Sequence, residues 1–397
     1  MEGLSKTAST ILGRINSDPL MLQANKKHIA DLIQFLQARG AKPLTVDKYV
    51  YHYEKILKAL GQRKDLLKAS RGDLERVVAK INTLGLADEE KRKIRVTLKV
   101  FYKHFLGEDL YYPKQVAWMK TSGAKNKMLP EDLLSEAEVL KLIETAKDLR
   151  DKAIIALLFD TGMRIGELAS LRIKDVEIGG TISHIMANGK TGMRRIPITF
   201  SVPYLSQYLN TMPNAKSGDN LWQTIGTWEY TGKTVRSDGI RQMLKRLARK
   251  AGINKRIYPH LFRHSRASIY ANKLTEQQLK VYFGWTGDSK MAATYVHLSG
   301  RDIDNAIIHA YGGKPDVAAE EVKLKVKVCA RCQFDNPVDA KYCNRCGSPL
   351  DISTAVLEEK TSIEIRNSLM ESIKDPKLLE EIVHQYLLEK KKKGSNR

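Results

Sequence analysis

Apolar residues recur at helical spacing through most of the chain. Over residues 21–106 such stretches are punctuated at Gly40, Pro43, Gly61 and Gly85, and each keeps its aromatic and aliphatic positions on one face. This predicts a bundle of about four helices. In the last of them Ile94, Leu98, Phe101, Tyr102 and Phe105 make the apolar side, while Lys91, Arg92, Lys93, Arg95, Lys99 and Lys103 crowd the rest. A helix so patterned packs one face and offers cations from the other, to water or to phosphates. Residues 111–130, with Pro113, Gly123 and several lysines, lack periodicity and read as a linker.

A second helical region opens at Ser135, where Glu138 stands ready to complete a capping box. Helices run to about Phe159, and Gly162 breaks the pattern. Alternating sequence at 176–178, 181–187 and 195–200 predicts strands, with 188–192 as the loop between the last two. Helical spacing returns near Ser237 and continues to about Tyr311. Residues 312–327 are polar and poor in aromatics, a second linker. Beyond the cysteines, Leu379, Ile382, Val383, Tyr386 and Leu387 form an amphipathic pattern suited to docking or oligomerisation, followed by a lysine run from Lys390 to Lys393.

The expected fold is therefore mostly α. An N-terminal helical bundle spans 1–110 and a linker 111–130. An α-rich domain with a small antiparallel β-sheet spans 131–311, and a linker 312–327. A small cysteine-bound unit covers 328–350, and an amphipathic helix with a basic tail covers 351–397.

The chain of 397 residues is 42% hydrophobic and 28% charged, enough to bury real cores and too apolar for disorder. Its net charge of +22 points to a polyanionic partner, nucleic acid being the commonest, against the alternative of a merely well-solvated basic surface. No apolar run approaches the roughly 18 to 20 residues of a spanning helix, so no membrane is implied. Ala153 to Phe159 reads as a core helix by length. No Gly-x-x-x-x-Gly-Lys-Ser/Thr loop is present, and nothing suggests ATP.

All 4 cysteines fall in two Cys-x-x-Cys pairs, Cys329 with Cys332 and Cys343 with Cys346, leaving none elsewhere to pair with. This reads as a reduced, intracellular protein with a metal site. Two such knuckles match a structural zinc ribbon whose metal supplies the folding free energy that so small a unit cannot bury for itself. An iron–sulfur cluster or disulfides are the alternatives. Lys323, Lys325, Lys327, Arg331, Lys341 and Arg345 surround it and suit phosphate contact or a protein partner.

The most informative residues lie between these landmarks. Arg164 stands in Thr-Gly-Met-Arg-Ile-Gly-Glu-Leu, Lys190 in the β-hairpin loop, and His260 and Arg263 in Pro-His-Leu-Phe-Arg-His. Trp285 follows in Phe-Gly-Trp and Tyr295 in Ala-Thr-Tyr-Val-His. Singly, each has a structural reading: an Arg at a helix start is a surface ion pair, a His on an apolar face a core residue. In this order and context the set resembles the tyrosine recombinase (phage integrase) family, which includes the Xer and Cre recombinases.

The chemistry is intelligible without the resemblance. Breaking a phosphodiester without a metal needs a nucleophile, neutralisation of charge on a pentacoordinate phosphorus, and a proton for the leaving alkoxide. A phenol such as Tyr295 both attacks phosphorus and leaves again. Two guanidiniums, Arg164 and Arg263, grip non-bridging oxygens with planar forks. In a helix opened by Pro259, His260 and Arg263 leave the same face.

The resemblance implies that Lys190 is the general acid for the 5′-oxygen, that His260 assists proton transfer at the tyrosine, and that the Trp285 indole N–H donates to the phosphate. Glu167 reads as orienting an arginine or capping a turn, and His264 and His297 as structural.

The resemblance also implies a site-specific DNA recombinase that acts through a 3′-phosphotyrosine, with a core-binding N-terminal bundle and catalytic domain clamped on duplex DNA. A homotetramer on paired sites, coupled by a helix after Tyr295, and a cytoplasmic, nucleoid-associated setting go with it. Neither a catalytic metal nor ATP is needed, and the ribbon is free to engage an accessory protein. Rival readings are a type IB topoisomerase, a non-catalytic DNA-binding regulator, and a chain whose main working part is the ribbon.

Overall fold

The structure is a computed structural model that describes residues 4–107, 111–121, 130–180, 182–189, 191–225, 230–271, 273–298, 311, 324–374, 380 and 383–384. The chain divides into two compact units, Met1–Lys127 and Met128–Arg397.

The first unit contains α1 (Lys6–Ser17), α2 (Gln23–Ala38), α3 (Pro43–Leu60), α4 (Arg71–Thr83), α5 (Asp88–Leu106) and the one-turn α6 (Lys114–Ala117). The predicted helices are α2 to α5. A further one, α1, precedes them, with Ala8, Ile11, Leu12 and Ile15 at i, i+3, i+4 and i+7 buried against the bundle. Ser70 and Asp73 form a capping box that starts α4. Leu32, Tyr53, Phe101 and Tyr102 are fully buried at the centre, where the Tyr53 hydroxyl donates to the Asn25 carbonyl at 3.1 Å.

The basic face of α5 is partly spent within the protein. Arg92 pairs with Glu89 at 2.6 Å, and the Lys99 ammonium lies 4.2 Å from the centre of the Tyr112 ring. The stretch read as a linker contributes to this core, since α6 buries Val116 and the following residues bury Met119. One helical turn is too short to leave a periodic trace in sequence.

In the second unit α7 (Glu136–Thr145) starts with the predicted Ser135–Glu138 capping box. Next comes α8 (Leu149–Thr161), in which Ala153 to Phe159 are all fully buried. It packs against helices on several sides, so its apolar residues show no preferred face. The remaining helices are α9 (Ile165–Ala169), α10 (Val202–Asn210), α11 (Ser237–Lys250), α12 (Pro259–Ala271), α13 (Glu276–Phe283) and α14 (Met291–Leu298).

Strands β1 (Val176–Glu177), β2 (Ser183–Gly189) and β3 (Gly192–Ile198) form an antiparallel sheet in that order. Gly189 pairs with Gly192, so both strands run further into the expected loop. A second hairpin, β4 (Gln223–Ile225) with β5 (Tyr230–Thr234), was not expected. It is short and mostly polar, and it follows the buried Trp222, whose indole donates to the Leu168 carbonyl at 2.8 Å.

Strands β6 (Lys327–Val328) and β7 (Asp335–Asn336) belong to the cysteine unit. The helix expected after Tyr295 lies outside the described residues except for exposed Tyr311. Helix α15 (Ile352–Lys374) carries exposed Leu357, Ile365 and Leu369. Of the apolar pattern expected at 379–387, Val383 alone is described, and it is exposed. Among the described residues no helix is long and apolar enough to cross a membrane.

Candidate active site and metal centre

Helix α8 ends on Gly162 in the left-handed region, with φ of +56°. A Cβ there would lie 2.7 Å from Cε1 of Phe283, so the turn needs glycine for both its dihedral and its close approach to α13. The chain leaves this turn extended and delivers Arg164 as the N-cap of α9.

Glu167, in the first turn of α9 and 4% exposed, is the hub of the site. It accepts from the Arg164 guanidinium at 2.8 Å, from the Arg164 main-chain N–H at 3.0 Å, and from Arg194 at 2.7 Å. Burial pushes this carboxyl up, but the hydrogen bonds from Arg194 and Arg164 outweigh burial and hold it at about 2.

Arg164 also donates to the Gly284 carbonyl at 3.2 Å, and Arg194 Nε donates to the Tyr282 carbonyl at 3.1 Å. Arg263 is almost wholly buried and donates to the carbonyls of Gly162 at 3.0 Å and Phe283 at 2.6 Å. Burial first, and then Arg164, lower its pKa. Three guanidiniums thus meet around one carboxylate, a net positive pocket.

Lys190 lies outside the described residues. Its neighbours are tied to the cluster: Thr191 Oγ1 donates to the Gly284 carbonyl at 3.1 Å, and Gly189 sits so close to Glu167 that a Cβ would lie 2.5 Å from Oε1.

On the other side of Arg263, Tyr295 of α14 is 3% exposed. Its ring stacks face to face on Trp285, with centroids 5.6 Å apart and planes within 4°, and Trp285 stacks in turn on Phe283 at 5.0 Å. The Arg263 guanidinium lies 5.5 Å from the Trp285 ring centre. The indole therefore packs as a plate between the Tyr295 ring and the Arg263 guanidinium.

The Tyr295 hydroxyl is hydrogen-bonded to Nδ1 of His264. Burial pushes the phenol up to about 12, with Arg263 opposing the rise. Burial, His260 and Arg263 push His264 down to about 4, so it is neutral near pH 7. His260 stands one turn before, its ring edge-on to His264 at 4.7 Å and open to solvent on one side. Partial burial, Arg263 and Arg164 lower its pKa too.

The structure thus gathers Arg164, Arg263, Trp285, Tyr295 and His260 at one place and adds two residues not selected from sequence. Arg194 shares the inward parity of Ile196 and Ile198 on β3, a readable signal. His264 follows His260 at i+4 and so faces the same way. His297 lies beyond the side chains that are described.

The four cysteine sulfurs lie within 4.8 Å of one another, with Cys329 and Cys346 at 3.6 Å and Cys332 and Cys343 at 3.5 Å. Thiolates held tetrahedrally at about 2.3 Å from zinc are about 3.8 Å apart, so the four fit a metal. The Arg345 N–H points at the Cys343 sulfur at 3.4 Å, the kind of donor that stabilises a bound thiolate. The unit is fastened to the helical domain through Asp339, which accepts from the Tyr204 hydroxyl at 2.9 Å and pairs with Lys152. Val338 packs on the domain core.

A buried tyrosine beside a carboxylate-tethered arginine cluster, on an α-rich domain with small antiparallel sheets, is the arrangement that the sequence resemblance leads one to expect of a tyrosine recombinase. Residues 132–301 match the phage integrase family. Tyrosine recombinase XerA of Pyrococcus horikoshii is 26% identical over 249 residues, 62% of this chain and 79% of that protein. Tyrosine recombinase XerD of Oceanobacillus iheyensis is 25% identical, covering 68% of this chain and 93% of that one.

Among solved structures, XerH site-specific recombinase in a post-cleavage complex on difH superposes with a TM-score of 0.54 at 17% identity, over 77% of this chain and 95% of that chain. A lambda integrase tetramer bound to a Holliday junction gives 0.54 at 16%, over 71% and 79%. These two likenesses establish the fold. The domain match and the sequence relatives support a tyrosine-type site-specific recombinase.

Proposed function

We propose that the chain breaks and rejoins duplex DNA by transesterification at Tyr295. The observation that carries this reading is the buried Tyr295 beside Arg263, which in turn neighbours Arg164, in a pocket whose surplus positive charge suits a phosphodiester. Tyr295 attacks phosphorus, the bond to the 5′-oxygen breaks, and a 3′-phosphotyrosine with a free 5′-hydroxyl results.

Arg164 and Arg263 each commit two N–H contacts to the protein and keep others for non-bridging oxygens. Lys190, between two residues tethered to the cluster, protonates the leaving 5′-oxygen. His260 faces solvent at the pocket edge and assists proton movement, and Trp285 braces the tyrosine and donates to the phosphate. Bond energy is conserved in the ester, so neither ATP nor a catalytic metal enters.

The cysteine cluster holds a structural zinc whose four thiolates leave no coordination position open. The partner is duplex DNA, engaged by a homotetramer on paired sites in the cytoplasm at the nucleoid. The ribbon offers a place for an accessory protein. A type IB topoisomerase and a non-catalytic regulator are not favoured, because the sequence relatives are named recombinases.

The test is a pair of assays on one preparation. Two-site linear DNA carrying candidate sites, including genomic flanks, is scored for exchanged products, and supercoiled DNA is scored for relaxation. Joint molecules that depend on matched sites support the proposal. Sequence-blind relaxation without exchange would transfer the chain to the topoisomerase reading.

A further inference from the structure

We infer that His264 is the proton acceptor for the Tyr295 hydroxyl, and that it returns the proton when the phosphotyrosine is resolved. This rests on the proposed transesterification and deepens it. The resemblance gives the tyrosine's proton to His260, but the contact in this structure belongs to His264, whose Nδ1 is bonded to the Tyr295 oxygen. His260 meets His264 only ring to ring.

The geometry is that of a prepared donor and acceptor pair. Helix α12 is fixed by the buried Arg263, and α14 is held by the stack of Tyr295 on Trp285. The phenol and imidazole cannot drift apart without breaking one of these. The balance is simple: the Tyr295 oxygen bonds to phosphorus, its proton passes to Nδ1, and the 5′-oxygen leaves with a proton from elsewhere. In the reverse step the 5′-hydroxyl attacks, and the departing phenolate recovers the proton from the imidazolium.

The surroundings gate the transfer. His264 faces His260 and Arg263 on its own helix and Tyr295 on α14, and Arg263 and His260 both resist a second positive charge. An empty pocket therefore keeps His264 neutral and the phenol protonated. A phosphodiester between Arg164 and Arg263 offsets those cations and makes imidazolium formation easier, so the base gains strength when substrate is present.

The test is single-turnover formation of the covalent adduct on nicked duplex DNA. His264→Asn places an amide near the Nδ1 position, able to hold the hydroxyl but not to take its proton. It should cleave about 100-fold or more slowly, within the usual range for a general base, while binding DNA and melting like wild type. Site-specific 3,5-difluorotyrosine at 295, a more acidic phenol, should shrink that gap by about tenfold.

Cleavage by His264→Asn within about threefold of wild type would overturn the inference. So would a difluorotyrosine effect of equal size in both backgrounds. Should His264→Asn melt early, His264→Gln replaces it. If both melt early, difluorotyrosine in the wild-type chain decides. A small change supports an engaged base, and a rise in proportion to added phenolate contradicts one. Absence of any wild-type adduct would remove the transesterification itself, a separate result.

Discussion

Replacing Glu167 with Gln tests whether one carboxylate holds the arginine cluster together. Glu167 is 4% exposed and takes hydrogen bonds from Arg164 and Arg194. Its carboxyl sits at about 2 instead of 4.5. A shift of that size corresponds to about 3 kcal/mol favouring the ionised form in the folded state, comparable with the cost of breaking a buried ion pair. Gln keeps the volume and one acceptor but leaves three arginines without a counter-charge. Because the folded pKa is depressed, the wild-type contribution is complete above about pH 4.5 and is lost as pH falls towards 2.

Glu167→Gln should therefore melt lower than wild type at pH 7, with the gap closing in acid. Added sulfate, an anion of the kind the pocket is charged to accept, should restore the variant more than wild type. Thermal unfolding of the whole chain followed by circular dichroism, from pH 7 to pH 3 with and without sulfate, measures all three. Equal melting of variant and wild type at pH 7, or a sulfate effect of the same size in both, would refute the hub assignment.

Other outcomes follow from the same geometry. Gly162→Ala forces a methyl into Phe283 at a left-handed dihedral; it should cost about 1 to 3 kcal/mol in unfolding experiments and reduce cleavage more than DNA binding. Arg194→Met removes the tie between β3 and Glu167; adduct formation should fall at least about tenfold, with affinity for duplex nearly kept, as read by gel shift and single-turnover kinetics. If the proposed zinc is bound at the four cysteines, a thiol reagent should release one zinc per chain and expose the stretch around Asp339 to protease; resistance unchanged after full metal release would show that the cysteine unit folds without it.

Much of this architecture is legible in the sequence because its signals are local. The Ser135–Glu138 box, the stop at Gly162 and the start at Pro259 are each set within a few residues, and the structure follows them. The Cys-x-x-Cys pairs likewise bring their own geometry. What escaped is set by tertiary context. Arg194 is the exception, since its parity with Ile196 and Ile198 is local, but the strand expected from 195 stops one residue short of it. His264 carries no local sign that α14 will lay Tyr295 against it. The hairpin β4–β5 is too short and polar to show a period, and α8 is buried all round and so shows no face.

The most direct test of the central claim is to incubate wild type and Tyr295→Phe with nicked duplex DNA carrying candidate sites, with EDTA and without ATP, and to look on denaturing gels for protein linked to a DNA end. The account predicts an adduct at a 3′ end with wild type alone, mapping by peptide analysis to Tyr295. An adduct that persists in Tyr295→Phe, maps to another residue or sits at a 5′ end would contradict it.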